Sequence, residues 1–215
     1  MKQIMMVLVL LPLFGCSLFV TTYEGGKSPE ELVSEGSSAF VSGEYRTAIN
    51  AYTDLKDWYP FSKYAILAEL KIADAHFELK EYDEAIAAYE EFERMHPRNE
   101  AIPYVIYRTG LSWFQQIDTV DRDNTPAKNA LVQFNRLIER FPASEQAEAA
   151  QDNIKKCLAN LSGHELYVAD YYMRTKSYTA ALKRYEALVE NYPGTEASKK
   201  ALNKIPECRQ LAEDP

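Results

Sequence analysis

One pattern occurs four times along this chain and constrains its fold more than any other feature. Each copy has an alanine, an aromatic residue four positions later, an apolar residue after seven positions and a proline after twelve. The copies are Ala48, Tyr52, Leu55 and Pro60; Ala85, Tyr89, Phe92 and Pro97; Ala130, Phe134, Leu137 and Pro142; and Ala181, Tyr185, Leu188 and Pro193. Positions i, i+4 and i+7 lie on one face of an α-helix, and proline ends a helix. The pattern therefore predicts four amphipathic helices that share one mode of packing.

These four segments resemble the second helix of the tetratricopeptide (TPR) repeat, in which a small residue precedes an aromatic residue and a proline follows. A small alanine lets a neighbouring helix approach closely, and the aromatic ring fills the space between the two helices. The segment before the first copy predicts its partner helix. Ser28 and Glu31 have the spacing of a capping box that begins a helix. Gly36 lies where the TPR pattern places a glycine, and Gly43 is expected to end this helix.

Unequal distances between the prolines show where the array departs from regularity. The distance from Pro60 to Pro97 is 37 residues, close to the TPR period of about 34. From Pro97 to Pro142 it is 45 residues, and the surplus predicts an inserted loop near residues 118–125. From Pro142 to Pro193 it is 51 residues, which is enough for an additional helical stretch.

The additional stretch has two interpretations. Residues 144–161 and 164–175 form either two helices or one long helix that is kinked near Ser162 and Gly163. After the last repeat, a final helical segment is expected, disturbed by Pro206.

No stretch of the sequence alternates apolar and polar residues in the way that β-strands do. We therefore predict an all-α fold, a TPR-like α-solenoid of four to five helical hairpins in which each hairpin stacks only on its neighbours. Residues 29–97 are expected to form an N-terminal TPR pair, and residues 98–215 the C-terminal TPR-like repeats with the inserted loop.

The first residues predict export. A basic start precedes an apolar run at residues 4–14, which is shorter than the about 20 residues of a membrane-spanning helix and has the length of a signal-peptide core. The sequence Leu13-Phe14-Gly15-Cys16 then resembles the lipoprotein box of bacteria. In that family the signal peptide, here residues 1–15, is removed, and the cysteine thiol receives a diacylglyceryl group. The alternative is an ordinary secretory signal followed by a chance cysteine.

A lipid on Cys16 would anchor the mature protein to a membrane, because two or more acyl chains give stable attachment. Residues 16–28 contain Gly25 and Gly26 and show no helical periodicity, so we expect a flexible tether. Residue 17 is serine rather than aspartate. By resemblance to bacterial sorting rules, this favours the outer membrane, with the protein on its periplasmic face.

Composition and motifs exclude several function classes. The 24 basic residues are outnumbered by 32 acidic ones, giving a net charge of −8, so we expect no nucleic-acid partner. Histidine, cysteine and serine residues form no recognisable catalytic or metal-binding motif, so we predict no enzyme, no metal and no cofactor apart from the covalent lipid on Cys16. Cys157 and Cys208 are either a disulfide of the oxidising periplasm or small apolar residues in helix interfaces.

Four segments carry a more specific resemblance. They are WYPFSKY at residues 58–64, IPYVIYRTGL at 102–111, VDRD at 120–123 and ADYY at 169–172. They are similar, in order, to a Tyr-Pro-Phe turn after the first repeat, the entry to the third repeat, an Asp-Arg-rich inserted loop and a Glu-Tyr-Tyr motif of the fourth repeat in the BamD family. The chain resembles that family from the lipoprotein box to about residue 205.

The resemblance implies a scaffold role in the outer-membrane β-barrel assembly machine. BamD proteins hold a POTRA domain of the barrel subunit BamA with their C-terminal repeats and contact unfolded β-barrel proteins with their N-terminal ones. Arg184 falls at the family's arginine implicated in BamA coupling. Other lipoproteins of the complex are further expected partners, although this sequence ends one or two helices before the usual C-terminus of the family.

A groove for substrate peptides is expected on the first helices of the hairpins. The TPR register places Phe40, Asp74 and Phe77 in this groove, and the alternative is that these are partly buried packing residues. We expect Phe40, Tyr64 and Phe77 to contact unfolded substrates.

Two other function classes stay open at this point. A different periplasmic TPR lipoprotein, acting as an adaptor for cell-wall enzymes or proteases, would share the anchor and the repeats. A helical enzyme such as a lytic transglycosylase would need a catalytic glutamate in a second compact domain, and the repeats leave no room for one.

Overall fold

The computed structural model describes residues 26–213, and these residues form nine α-helices and no β-strand. The helices are α1 (Pro29–Val41), α2 (Tyr45–Trp58), α3 (Ala65–Glu78), α4 (Tyr82–Met95), α5 (Ile102–Phe114), α6 (Thr125–Arg140), α7 (Glu145–Arg174), α8 (Tyr178–Asn191) and α9 (Glu196–Glu213). The signal peptide, Cys16 and most of the tether lie outside the described residues.

Consecutive helices pack against each other along the whole described chain. The pairs α1/α2, α3/α4, α5/α6 and α7/α8 are helical hairpins, and α9 covers the last of them. The prediction of an all-α solenoid of four to five hairpins is confirmed. Packing continues between the two predicted repeat groups, because Tyr89 and Phe92 of α4 share a buried cluster with Ile102 and Val105 of α5. No helix among residues 26–213 is long and apolar enough to span a bilayer.

The local signals at the first hairpin act as expected. The Ser28 side chain accepts a hydrogen bond from the backbone N–H of Glu31, and the Glu31 carboxylate accepts one from the backbone N–H of Ser28. This is a complete capping box. After α1, Gly43 has a φ of 77°, and two backbone hydrogen bonds close the helix end around it, from Gly43 to Phe40 and from Glu44 to Ala39.

The same helix ending occurs at α3 and α7 with a lysine in the left-handed position. Lys80 has a φ of 62° and Lys176 a φ of 59°. The backbone N–H groups of Lys80 and Glu81 bond to Phe77 and His76, in the same arrangement as at Gly43. The helix end is therefore fixed by its backbone hydrogen bonds even where the residue has a Cβ that disfavours this conformation.

Each hairpin is closed by a fully buried aromatic ring that packs against a small residue of the preceding helix. The four rings are no more than 1% exposed. The pairs of small and aromatic residues are Gly36 with Tyr52, Ala73 with Tyr89, Gly110 with Phe134, and Ala169 with Tyr185. A Cβ atom at Gly36 would lie 2.8 Å from the Tyr52 ring, and one at Gly110 would lie 2.6 Å from the Phe134 ring. The ring thus occupies the volume that a larger residue would need.

The long interval before the last repeat is one continuous helix, α7, so the interpretation as two helices is wrong. Gly163 does not interrupt this helix, and its lack of a side chain leaves space for a residue of the inserted loop. A Cβ at this position would lie 2.8 Å from Cγ1 of Val120 in the inserted loop. The loop is also bound to α7 by hydrogen bonds from Asn160 to the Asp118 carbonyl at 3.0 Å and between His164 Nδ1 and the Val120 carbonyl at 2.7 Å.

Two further expectations concern α9 and the cysteines. Helix α9 continues through Pro206, so this residue does not end the helix. Ala201 and Cys208, on either side of the proline, are both buried in the cluster formed with α8, and this packing holds the two halves together. Cys157 and Cys208 are unbonded and buried in different clusters, which agrees with the interpretation as packing residues.

The close contact at Gly110 yields a prediction about stability. Gly110→Ala should lower the free energy of unfolding by about 1–3 kcal/mol, because the added methyl group overlaps the Phe134 ring. Gly26→Ala is the control, since nothing lies within 4 Å of a Cβ at that position. Urea unfolding followed by circular dichroism measures both. Equal stability of the two variants would show that the Phe134 ring moves aside freely.

Candidate functional site

The structure divides the residues predicted for function into two separate regions. Phe40 lies in α1, Tyr64 immediately precedes α3, and Asp74 and Phe77 lie in α3, so these four belong to the first two hairpins. Arg184 lies in α8 of the fourth hairpin. Any contact with two partners through these residues would therefore use different hairpins.

Phe40 and Phe77 have matching surroundings at a spacing of 37 residues. Lys71 Nζ lies 5.1 Å from the centre of the Phe40 ring, and Arg108 Cζ lies 3.8 Å from the centre of the Phe77 ring. The cation comes in each case from the first helix of the next hairpin, and the two cations are also 37 residues apart. We call these the two Phe–cation pairs. Both are cation–π contacts, which place a half-buried aromatic ring directly beside a positive charge.

Asp74 lies beneath this face, where it is only 3% exposed. Its Oδ1 accepts hydrogen bonds from the hydroxyl groups of Tyr89 and Tyr104, both at 2.7 Å, and its Oδ2 accepts one from Lys71 Nζ at 3.0 Å. Arg108 Nε is 4.0 Å from Oδ1. The TPR register suggested that Asp74 lines the groove, but the structure places it below the surface, where it positions Tyr104 and both cations.

The protonation of the two tyrosines follows from this environment. Burial raises the pKa of Tyr89 and of Tyr104, and the negative charge of Asp74 raises both further. Both phenols therefore remain protonated donors to Asp74 at neutral pH. Arg108 joins this hydrogen-bond network. Its Nε donates to the Tyr89 hydroxyl at 3.0 Å, and its Nη2 donates to Glu78 Oε1 at 3.2 Å.

The same arrangement recurs in the fourth hairpin. Asp170 Oδ1 accepts hydrogen bonds from the Tyr185 hydroxyl and from Lys204 Nζ, both at 2.6 Å. Lys204 follows Asp170 by 34 residues, as Arg108 follows Asp74. In the first hairpin the Tyr52 hydroxyl lies 3.0 Å from Ser37 Oγ. A polar residue directly after the small residue therefore accompanies each buried tyrosine.

The third hairpin lacks this polar partner, and its sequence explains why. Its buried ring is Phe134, which has no hydroxyl group, and the residue after Gly110 is Leu111. Where the buried ring is tyrosine, a polar residue thus occurs 15 positions before it, at Ser37, Asp74 and Asp170, whereas Phe134 needs no acceptor. This spacing is visible in the sequence, but the sequence analysis did not use it and therefore did not identify Lys71, Tyr104 and Arg108 as part of the site.

Arg184 is held loosely. Its Nη1 donates to Glu165 Oε2 at 3.2 Å across the fourth hairpin, while its side chain remains 48% exposed. An exposed ion pair of this kind contributes about 0–1 kcal/mol to stability. The guanidinium group is thus available to a partner at little cost to the fold.

Comparisons with known proteins agree on one family. The model of the YfiO family, described as an outer membrane lipoprotein, matches residues 26–212. The chain is 34% identical over 205 residues to the outer membrane protein assembly factor BamD of Vibrio cholerae, covering 91% of this chain and 85% of that one. The chain belongs to the BamD family. It is also 33% identical over 178 residues to the BamD of Neisseria meningitidis serogroup A, covering 78% of this chain and 67% of that one.

Solved structures give a weaker similarity. The TPR2AB domain of yeast Sti1, in a complex with pHSP90, has 16% identity and a TM-score of 0.48, covering 86% of this chain and 75% of that one. The TPR domain of Arabidopsis OM64 has 17% identity and a TM-score of 0.47, covering 60% of this chain and 94% of that one. The description of the BamD-family fold therefore depends on the helices and buried pairs of this chain itself.

The buried carboxylate yields a prediction. Asp74→Ala should lower the free energy of unfolding by about 3–5 kcal/mol, because it leaves two buried hydroxyl groups without an acceptor and the charge of Arg108 without its nearby carboxylate. Tyr104→Phe removes one of these bonds and should cost about 1 kcal/mol. Urea unfolding measures both.

The control for Asp74 is Glu91→Ala, which removes an exposed acid paired with Arg94 and should change stability by less than about 0.5 kcal/mol. If Asp74→Ala lowers the free energy of unfolding no more than Glu91→Ala does, then the Asp74 carboxylate does not stabilise the fold in the way proposed.

Proposed function

We propose that this protein is a lipid-anchored scaffold of the outer-membrane protein assembly complex. In this role it binds unfolded β-barrel proteins through its N-terminal hairpins and the POTRA region of BamA through its C-terminal ones. Membership of the BamD family supports the proposal, since relatives over most of the chain are named outer membrane protein assembly factors. It also favours this role over that of an adaptor for cell-wall enzymes.

The Phe–cation pairs are the observation that carries the substrate part of the proposal. Strands of outer-membrane β-barrels alternate apolar and polar side chains, so an unfolded β-barrel protein presents both apolar and polar side chains to a binding surface. Phe40 and Phe77 provide, for apolar side chains, the parts of their rings that the cations leave uncovered, and Lys71, whose side chain is 34% exposed, provides a charge for carboxylates. An extended peptide that crosses α1, α3 and α5 would meet both pairs in succession.

Tyr64 extends this surface toward the start of α3. Lys63 Nζ lies 4.8 Å from the centre of its ring, so a further aromatic–cation contact occurs beside the two Phe–cation pairs. Tyr64 packs against the buried cluster that includes Leu32 and Leu55 and remains half-buried. It therefore has a fixed position and an accessible edge, which suits a recognition residue.

The BamA part of the proposal depends on Arg184. The residue belongs to the fourth hairpin, its charge is accessible, and its single ion pair with Glu165 can be exchanged for one with an acidic group of a partner. We propose that this exchange couples the scaffold to the POTRA region. No bond chemistry is needed for either role.

Anchoring completes the proposal. A lipid on Cys16 and the tether at residues 16–28 would hold the hairpins at the periplasmic face of the outer membrane. Substrate and BamA would then be bound by a protein that stays within reach of the membrane surface. Other lipoproteins of the complex are proposed as additional partners.

The BamA contact is tested by reversing one charge. Arg184→Glu should reduce the BamA recovered with the affinity-tagged protein from solubilised envelopes by at least about tenfold, because truncating or reversing an interfacial charge pair costs roughly 2 kcal/mol or more. Arg94→Glu is the matched control, since Arg94 is also exposed and paired with one glutamate, Glu91. Far-ultraviolet circular dichroism should be the same for both. Equal recovery of BamA with both variants would contradict the assignment.

The substrate groove is tested with a fluorescent peptide that has the sequence of the C-terminal β-strand of an outer-membrane barrel protein. Phe77→Leu keeps most of the apolar volume but removes the ring, and it should weaken peptide binding about fivefold, the equivalent of roughly 1 kcal/mol. Phe114→Leu is the control, because Phe114 holds the corresponding position 37 residues later in a hairpin without a Phe–cation pair. Fluorescence polarisation measures both affinities. The proposal fails if the two variants bind alike.

A further inference from the structure

The end of α2 and the turn that follows it expose two large aromatic side chains. Phe61 is fully exposed and Trp58 is 55% exposed. The corresponding turns of the other repeats do not share this property. Their residues at the position of Phe61 are Arg98, Ala143 and Gly194. The exposed aromatics are therefore a feature of this turn and not of the repeat, and neighbouring exposed apolar residues of this kind mark a contact surface.

The beginning of the described chain is fixed beside this turn. The Tyr59 hydroxyl donates a hydrogen bond to the Lys27 carbonyl at 3.0 Å. The tether from Cys16 to Gly26 spans at most roughly 35 Å when fully extended. A lipid on Cys16 therefore keeps this edge of the protein close to the membrane, and Trp58 and Phe61 are the exposed aromatics next to the point where the tether joins the fold.

The chemistry of the turn fits a lipid surface. Aromatic side chains, tryptophan above all, are enriched at the boundary between water and hydrocarbon. The charges near the turn include both signs, since Lys56 Nζ lies 3.9 Å from Asp57 Oδ1 just before it and Lys63 follows Phe61 by two residues. This mixture of signs favours uncharged, zwitterionic headgroups over an anionic lipid cluster or a strongly charged protein partner.

We propose that Trp58 and Phe61 insert into the interfacial layer of the membrane and form a second contact beside the lipid anchor. The proposal rests on the lipid anchor of the proposed function. The lipid alone would leave the solenoid free to rotate about its tether. The aromatic contact fixes the first hairpin against the bilayer and so sets the direction in which the first helices of the following hairpins face.

Tryptophan fluorescence tests this contact directly. The chain has two tryptophans, so Trp113→Phe leaves Trp58 as the reporter. This variant is purified with its lipid and reconstituted into phosphatidylcholine vesicles that contain brominated acyl chains. We expect the emission of Trp58 to shift to shorter wavelength and to be quenched, and Phe61→Ser to remove at least half of the quenching. Val132→Ser, which alters an exposed apolar residue on α6, should leave the quenching unchanged.

A second label guards against misfolding of the tryptophan variant. Phe61→Cys can be labelled with an environment-sensitive thiol dye, because Cys157 and Cys208 are buried and burial raises the pKa of the Cys157 thiol to about 11. The dye should report an apolar environment on vesicles and an aqueous one in detergent-free solution without lipid.

A third sample separates this inference from the anchor itself. A chain that begins at residue 16 with Cys16→Ser and carries an N-terminal hexahistidine tag is held on vesicles with nickel-chelating lipid. Quenching of Trp58 in this sample supports the aromatic contact whatever the state of Cys16. Failure of the purified native protein to float with vesicles would count against lipidation alone. Vesicle-bound protein without quenching overturns the inference, as does a Trp58 response that appears only when an unfolded barrel peptide is added.

Discussion

The contact on which the rest of this structure depends is a buried aromatic ring placed against a small residue of the preceding helix. A solenoid has no common core, so each hairpin must bury its apolar face against its neighbours. The rings of Tyr52, Tyr89, Phe134 and Tyr185 do this in all four hairpins. Because a Cβ atom at Gly36 or Gly110 would collide with its ring, the small residue determines how closely the two helices of a hairpin approach.

The candidate groove is a chemical consequence of that packing. A buried tyrosine requires an acceptor for its hydroxyl group, and Asp74 provides one for Tyr89. A buried carboxylate in turn requires positive charge nearby, which Lys71 and Arg108 supply. These two cations then cover the phenylalanine rings on the surface above. The positions of the two Phe–cation pairs therefore depend on the buried Tyr89 hydroxyl group and its acceptor Asp74, and so on the packing of the core.

The sequence was sufficient to predict the four helices that carry the repeated pattern and both ends of α1, because these follow from periodicity, capping residues and proline positions. It was less informative where one residue serves a distant contact. Gly163 looked like an interruption of a helix but makes room for Val120, 43 positions earlier in the chain. The roles of Lys71 and Arg108 could not be inferred from the sequence, since no local pattern shows that a carboxylate on the same face is buried. Contacts that join hairpins become visible only when the hairpins are stacked.

Helix α7 shows how the two proposed binding regions belong to one scaffold. Its N-terminal half contributes Ala147, Ala150 and Cys157 to the cluster of the second and third hairpins, and its C-terminal half contributes Ala169 to the cluster of the fourth. Its thirty residues would be about 45 Å long, so a single rigid element carries packing from one core to the other. Since contacts join hairpins that follow one another in the chain, any displacement of the N-terminal hairpins under the proposed function would have to reach Arg184 mainly through this helix. The insertion that fastens α7 to the third hairpin by Asn160, Gly163 and His164 therefore strengthens the element on which such coupling would depend.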